Sequence, residues 1–340
     1  MLSRSALERM TSATTTSVVL IAAIIVGATL GHLKPAAGIW LSDQLDYTLL
    51  TLVSLLILGV RISAILKHTH SVRFLTVAVI ANFVAIPLIG YSIASLLLSQ
   101  YPLFFVGLVI YFLSPCTDWF LSFTRLSKGD TTLGTALIPI NMTLQLLLYP
   151  FYLQWFTQST VQTGVVEISS VLLQWFLLPF LFALSAHQVL KRLLSPTSFE
   201  HVLSVADRAT LWVTAALVLQ LFAGNIGVLL EHKSILGLLL AAVFCFFVLV
   251  YLLGELVCRM FKLPYRERAL LSMTMASRNA PLMLAVSMVA LPNQPLIYAA
   301  LVIGMLIEIP HLAALSQVLL RGRAAKTRVD PEPAMGHRSG

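Results

Sequence analysis

The stretch Phe112-Leu113-Ser114-Pro115-Cys116-Thr117-Asp118-Trp119 lies in the middle of an apolar run from about 102 to 126. A run of that length is what a membrane-spanning helix needs, about 20 mostly apolar residues. This one is interrupted. Pro115 has no amide hydrogen to donate and its ring clashes with the preceding turn, so carbonyls are freed that need other partners. Ser114, Thr117, the Cys116 thiol and the Asp118 carboxylate flank the break at mid-membrane depth. An ionisable group at the bilayer centre costs at least ~2.5 kcal/mol, so Asp118 marks a functional position. A second stretch, Met275-Ala276-Ser277-Arg278-Asn279-Ala280-Pro281-Leu282, repeats the pattern with a guanidinium in place of the carboxylate and Pro281 at the break.

Working outward, ten spans are expected, at about 15–33, 47–63, 72–98, 102–126, 131–156, 165–189, 207–230, 235–260, 267–291 and 295–320. They leave short connections and a basic, Pro-containing tail from Arg321 to Gly340 that is expected to be disordered. Residues 1–320 then form one transmembrane domain. The bulk composition agrees, since 58% of the 340 residues are hydrophobic and 11% are charged. A soluble domain carries about 25% charged residues.

The net charge of +8 would suit nucleic acid, but the basic residues sit in short loops between apolar runs. With the N-terminus inside, every Lys and Arg falls on the cytoplasmic side except Lys34, Lys233 and Arg278, as the positive-inside rule requires. Both termini are therefore expected in the cytoplasm of a cell membrane protein. The alternation holds from the first span, so Met1–Ser17 and the apolar run after it read as a retained helix rather than a cleaved signal. Cys116, Cys245 and Cys258 all lie in apolar segments, which argues against a disulfide framework.

Two sets of five spans, about 15–156 and 165–320, must run in opposite directions through the membrane. Tyr149-Pro150 lines up with Ile309-Pro310, and at the same offset Asp118 falls on Arg278. Inverted repeats with paired broken helices place the substrate site of a secondary transporter at the breaks. A two-fold axis in the membrane plane would bring Asp118 and Arg278 together as a buried, charge-compensating pair. That pair either serves transport or only holds the crossing together.

The remaining candidates each admit two readings. Cys116 is a small apolar filler, the reading given to Cys245 and Cys258, or a soft ligand for a thiophilic solute such as trivalent arsenic or antimony. Glu308 carries a coupling proton or cation, or is a second partner for Arg278. Glu255 is explained by Arg259 one turn later. Asn82, Asn141, Thr143 and Gln145 are interhelical glue or carbonyl ligands for a cation. Ser114, Thr117, Ser277 and Asn279 line the two breaks.

Five stretches together resemble the bile acid:sodium symporter superfamily, and more closely its arsenite efflux permeases. They are Asn82-Phe-Val-Ala-Ile-Pro87, Ser114-Pro-Cys116 leading to Lys128-Gly-Asp130, Asn141-Met-Thr-Leu-Gln145, Ser277-Arg-Asn279 with Leu284-Ala-Val286, and Gly304-Met-Leu-Ile-Glu308-Ile-Pro310. The resemblance implies an all-α fold with discontinuous fourth and ninth helices crossing in a core domain. It also implies a substrate role for Cys116. That branch usually carries a glutamate shortly after the second break, where this chain has Ala280-Pro281-Leu282-Met283, so Asp118 or Glu308 would have to take over coupling.

The expected function is therefore secondary transport, foremost proton-coupled efflux of arsenite or antimonite, with sodium-coupled symport of an organic anion as the alternative. The expected partners are a small-molecule or oxyanion substrate, a coupling ion (H+ or Na+) and the lipid bilayer. No cofactor, metal or nucleic acid is called for, and the oligomeric state is left open. The chain has no His-Glu-x-x-His motif, paired membrane aspartates or soluble signalling domain, which counts against an intramembrane enzyme or a receptor.

Overall fold

A computed structural model describes residues 4–58, 72–116, 119–157, 170, 185 and 188–329. Among these the chain is helical throughout, with one isolated β-bridge. The helices are α1 (Arg4–Leu33), α2 (Pro35–Ser42), α3 (Leu45–Leu58), α4 (Val72–Ile80), α5 (Ile86–Leu98), α6 (Pro102–Leu113) and α7 (Trp119–Leu126). There follow α8 (Thr131–Thr157), α9 (Pro196–Glu231), α10 (Leu236–Met260), α11 (Tyr265–Ala276), α12 (Ala280–Ala290) and α13 (Pro295–Val329). Among the described residues, five helices are long and apolar enough to cross a membrane, and four shorter apolar ones join them, the last two being Pro102–Leu113 and Ala280–Ala290.

The differences from the expected spans are informative. α2 is a short helix that begins on Pro35, which suits a first turn because the missing amide hydrogen would be unpaired there anyway. α9 starts at Pro196 rather than near 207, capped by the Ser195 hydroxyl, which accepts the Ser198 amide at 3.2 Å. α13 continues to Val329, into the segment expected to be a loose tail from Arg321 onward. The expected sixth span, 165–189, and the end of the second lie almost wholly outside the described residues.

Local chemistry explains several element ends. Asp130 caps α8 with Oδ1, which accepts the amides of Thr132 at 3.0 Å and Leu133 at 3.1 Å. Between α4 and α5 one turn, Ala81–Ala85, is π-helical. Pro87 follows it and has no amide to offer the carbonyl four residues back, that of Phe83. The hydroxyl of Tyr152 on α8 donates to that carbonyl instead. A distortion demanded by proline thus becomes an interhelical tie.

Packing divides into two parts that meet along α13. α1 lies along α9, with α2 and α3 against the same helix. The approach is backbone to backbone: a Cβ on Gly27 would lie 2.4 Å from the Leu219 carbonyl oxygen, and one on Gly31 2.1 Å from that of Ala223. The second part gathers α6, α7, α10, α11 and α12 around α13, with α5 packed on α6 and α10, and α8 on α6 and α7. Here α6 is buried from Phe104 through Leu113, and α11–α12 from Ala269 through Ser287. Helices apolar on every side belong in the middle of a protein. The outer surface is apolar as well, with Val26, Trp40, Phe244 and Leu256 among the exposed side chains. A water-soluble surface would not carry that much exposed apolar area.

Candidate functional site

Both interruptions meet at the centre of the second part. α6 ends at Leu113, Ser114 is extended, and α7 starts at Trp119. α11 ends at Ala276, Ser277 is extended, and α12 starts at Ala280. The two extended pieces pair as an antiparallel bridge between Pro115 and Arg278. The Cys116 amide donates to the Ser277 carbonyl at 3.1 Å, and the Asn279 amide donates to the Ser114 carbonyl at 2.9 Å. Each unwound segment therefore supplies partners for the other, which makes irregular backbone tolerable at membrane depth.

Pro115 and Pro281 do different work. Pro115 sits inside the unwound stretch, whereas Pro281 lies in the first turn of α12, where no intrahelical donor is lost. Asn279 caps that turn, its Oδ1 accepting the Leu282 amide at 3.4 Å. Ser114 folds its hydroxyl back onto the Tyr111 carbonyl at 2.9 Å.

Arg278 is fully buried. Its guanidinium donates to three main-chain carbonyls: Phe112 at 2.9 Å, Thr274 at 3.1 Å and Met275 at 2.6 Å. Its Cζ lies 5.8 Å from the centre of the Phe246 ring, within reach of a cation–π attraction. The Arg278 amide, rather than its side chain, donates to Glu308 Oε1 at 2.8 Å. Tyr111 donates its hydroxyl to Glu308 Oε2 at 3.2 Å. Glu308 thus bridges the second break to α6 through Tyr111. The expected partner Asp118, and Thr117 beside it, lie outside the described residues.

A polar cluster lies next to the bridge. Thr274 Oγ1 accepts from Asn82 Nδ2 at 3.1 Å and from Asn141 Nδ2 at 3.4 Å. Asn141 Nδ2 also reaches the Cys116 carbonyl at 3.5 Å. Cys116 itself is 1% exposed. Among the described residues, Asn82 Oδ1, Asn141 Oδ1, both amide atoms of Gln145 and Ser277 Oγ are buried without a hydrogen-bond partner. Leaving such groups unsatisfied costs free energy, so each of them calls for a partner. Thr143 is not part of the cluster. It is exposed on α8, because residues 141 and 145 share one helix face and 143 points the other way.

Three residues of this arrangement, Tyr111, Thr274 and Phe246, were not among those singled out from the sequence. Thr274 carried a signal, a hydroxyl one turn before Arg278 in a buried segment. Tyr111 and Phe246 look like any aromatic in an apolar run. Glu255 is also placed differently: both its oxygens pair with Arg268, at 2.9 and 2.6 Å, rather than with Arg259. The bidentate geometry with a guanidinium on the facing helix explains the choice.

The model of the Sodium Bile acid symporter family matches residues 47–232, more than half of the chain. This chain belongs to that family. The match takes in α3 to α9 with the first break, the Asn82 turn and Asn141; the second break and Glu308 lie beyond it. No curated protein matches the chain. A family member is a multi-pass membrane transporter of a solute with a coupling ion, not an enzyme.

Proposed function

We propose that this transporter exports a thiophilic solute, foremost trivalent arsenic as neutral arsenous acid, in exchange for protons, with the substrate seated at the crossing of the two breaks. One observation carries the reading: Cys116 is built into the crossing by main-chain bonds to Ser277 and Asn141, beside buried amide oxygens that lack donors. Arsenous acid has three hydroxyls to donate to such oxygens and a soft centre for sulfur. Attack by the Cys116 sulfur would displace one hydroxyl, which leaves as water with the thiol proton. A single sulfur ligand keeps binding weak enough to reverse, as a carrier needs. Ser114, Ser277 and Asn279 shape the walls, and Thr117 follows Cys116 in the sequence.

An inverted-repeat architecture fits this reading. Relating residues 15–156 to 165–320 by a two-fold axis would put one break from each half at the axis, where an antiparallel bridge between residues 115 and 278 is the natural outcome. With both termini cytoplasmic, α13 would carry Glu308 across the membrane centre, and Glu308 or Asp118 would hold the exchanged proton. The rival, sodium-coupled symport of an organic anion, draws on the same unpartnered amide oxygens as cation ligands. It is weakened by Arg278, whose terminal nitrogens are already committed to carbonyls rather than offered to a carboxylate.

Everted vesicles test the choice. Arsenite should accumulate under an imposed pH gradient, and Cys116→Ser should reduce that accumulation at least tenfold with the protein present at normal level. Unchanged arsenite transport in the variant, or accumulation of an organic anion driven by sodium alone, overturns the proposal.

A further inference from the structure

Two helix C-termini face each other at the crossing, and the way their carbonyls are satisfied is unusual. A helix leaves its last four carbonyls without partners inside the helix, and its dipole places about half a negative charge at that end. At the end of α6 the Tyr111 carbonyl takes the Ser114 amide at 3.4 Å and hydroxyl at 2.9 Å. At the end of α11 the Met273 carbonyl takes the Ser277 amide at 3.0 Å. The carbonyls of Phe112, Thr274 and Met275 all receive the Arg278 guanidinium. One side chain therefore collects carbonyls from both half-helices, in a position sealed from solvent and roofed by Phe246.

In secondary transporters, unwound carbonyls and half-helix C-terminal ends are where a coupling cation binds. We propose that Arg278 is a tethered cation that permanently occupies this place, so that the crossing needs no sodium ion to hold its carbonyls together. The inference rests on the crossing being the transporter's working site, not on which solute is carried. Thr274 joins the two halves of the argument. Its carbonyl holds the guanidinium, while its hydroxyl holds Asn82 and Asn141. A free monovalent cation on those amides would sit within a few bonds of a fixed positive charge, where low-dielectric repulsion is strong. The carboxylate of Glu308 meets the Arg278 amide and Tyr111, and offsets the fixed charge from the other side.

The test uses the purified full-length chain in detergent and reads its melting temperature. For the native protein, sodium chloride and choline chloride at equal ionic strength should give the same value. Arg278→Ala should melt lower and regain several degrees with millimolar guanidinium or with sodium over choline, and nothing with urea at the same concentration. Arg278→Lys, which keeps a cation, should melt at an intermediate temperature and ignore sodium. Sodium-specific stabilisation of the native protein or of Arg278→Lys overturns the proposal, as does a folded Arg278→Ala protein that responds to neither cation. If Arg278→Ala does not fold, the native and Arg278→Lys measurements decide alone. No arsenite is present in any arm, so failure of the arsenite reading leaves this result intact, and the reverse holds.

Discussion

Replacing Thr274 separates hydrogen bonding from packing at the crossing. Its Oγ1 is the shared acceptor for Asn82 at 3.1 Å and Asn141 at 3.4 Å, and Thr274, Asn82 and Asn141 are all fully buried. Thr274→Val keeps the volume and branching but deletes the oxygen. Asn82 Nδ2 then loses that acceptor, while Asn141 Nδ2 keeps the Cys116 carbonyl at 3.5 Å. A buried donor left unsatisfied costs about 1–3 kcal/mol. Interhelical hydrogen bonds in membranes average about 0.6 kcal/mol, because the unfolded chain in a bilayer or micelle finds partners of its own. The full burial of both asparagines puts the expectation for Thr274→Val at about 1–3 kcal/mol. Thr274→Ser keeps the oxygen and loses one methyl, a cost of about 0.8 kcal/mol. The predicted order of stability is native, then Ser, then Val. Reversible unfolding in mixed micelles, titrated with a denaturing detergent, reads the order directly. If Val is as stable as Ser or more so, Thr274 is a packing residue and the polar cluster does not hold the crossing.

The other predictions concern the surroundings. Gly31→Ala would put a methyl 2.1 Å from the Ala223 carbonyl oxygen, so α1 and α9 must separate at a cost of about 1–3 kcal/mol. Gly227→Ala, on the same α9 with nothing within 4 Å, should be neutral or stabilising by up to about 1 kcal/mol, and melting temperatures compare the two. Tyr111→Phe removes the hydroxyl that Glu308 Oε2 accepts and should cost about 1–3 kcal/mol while slowing transport. Gly304→Ala should reproduce that phenotype, because its methyl would lie 2.8 Å from the Tyr111 ring and push the ring aside. A Gly304→Ala protein with native vesicle transport would contradict that coupling.

The two breaks were legible because their cause is covalent and local. Pro115 cannot donate wherever the chain goes, and small polar residues around it announce a place where helical bonding stops. Thr143 could have been discounted on the same local grounds, since two residues along a helix turn the side chain to the opposite face from Asn141 and Gln145. The pairing of Asp118 with Arg278, reasoned from opposite charges at equivalent places of a repeat, falls outside the described residues. The carbonyls that Arg278 does hold are left out of any count of formal charges, although helix C-termini hold them in number. Gly31 and Gly227 cannot be told apart in the sequence, because what forbids a side chain at one of them is the carbonyl of another helix.

By itself, then, the amino-acid sequence determined that this is an all-helical chain with a lipid-facing surface and two proline-marked interruptions, since hydropathy and missing donors are properties of each residue. Tertiary structure alone decided which atoms meet at those interruptions. Phe112 and Arg278 are separated by 166 positions, and Asn82 and Thr274 by 192. A buried polar group takes whatever partner the packing of distant helices brings within about 3 Å, a distance that no local rule encodes.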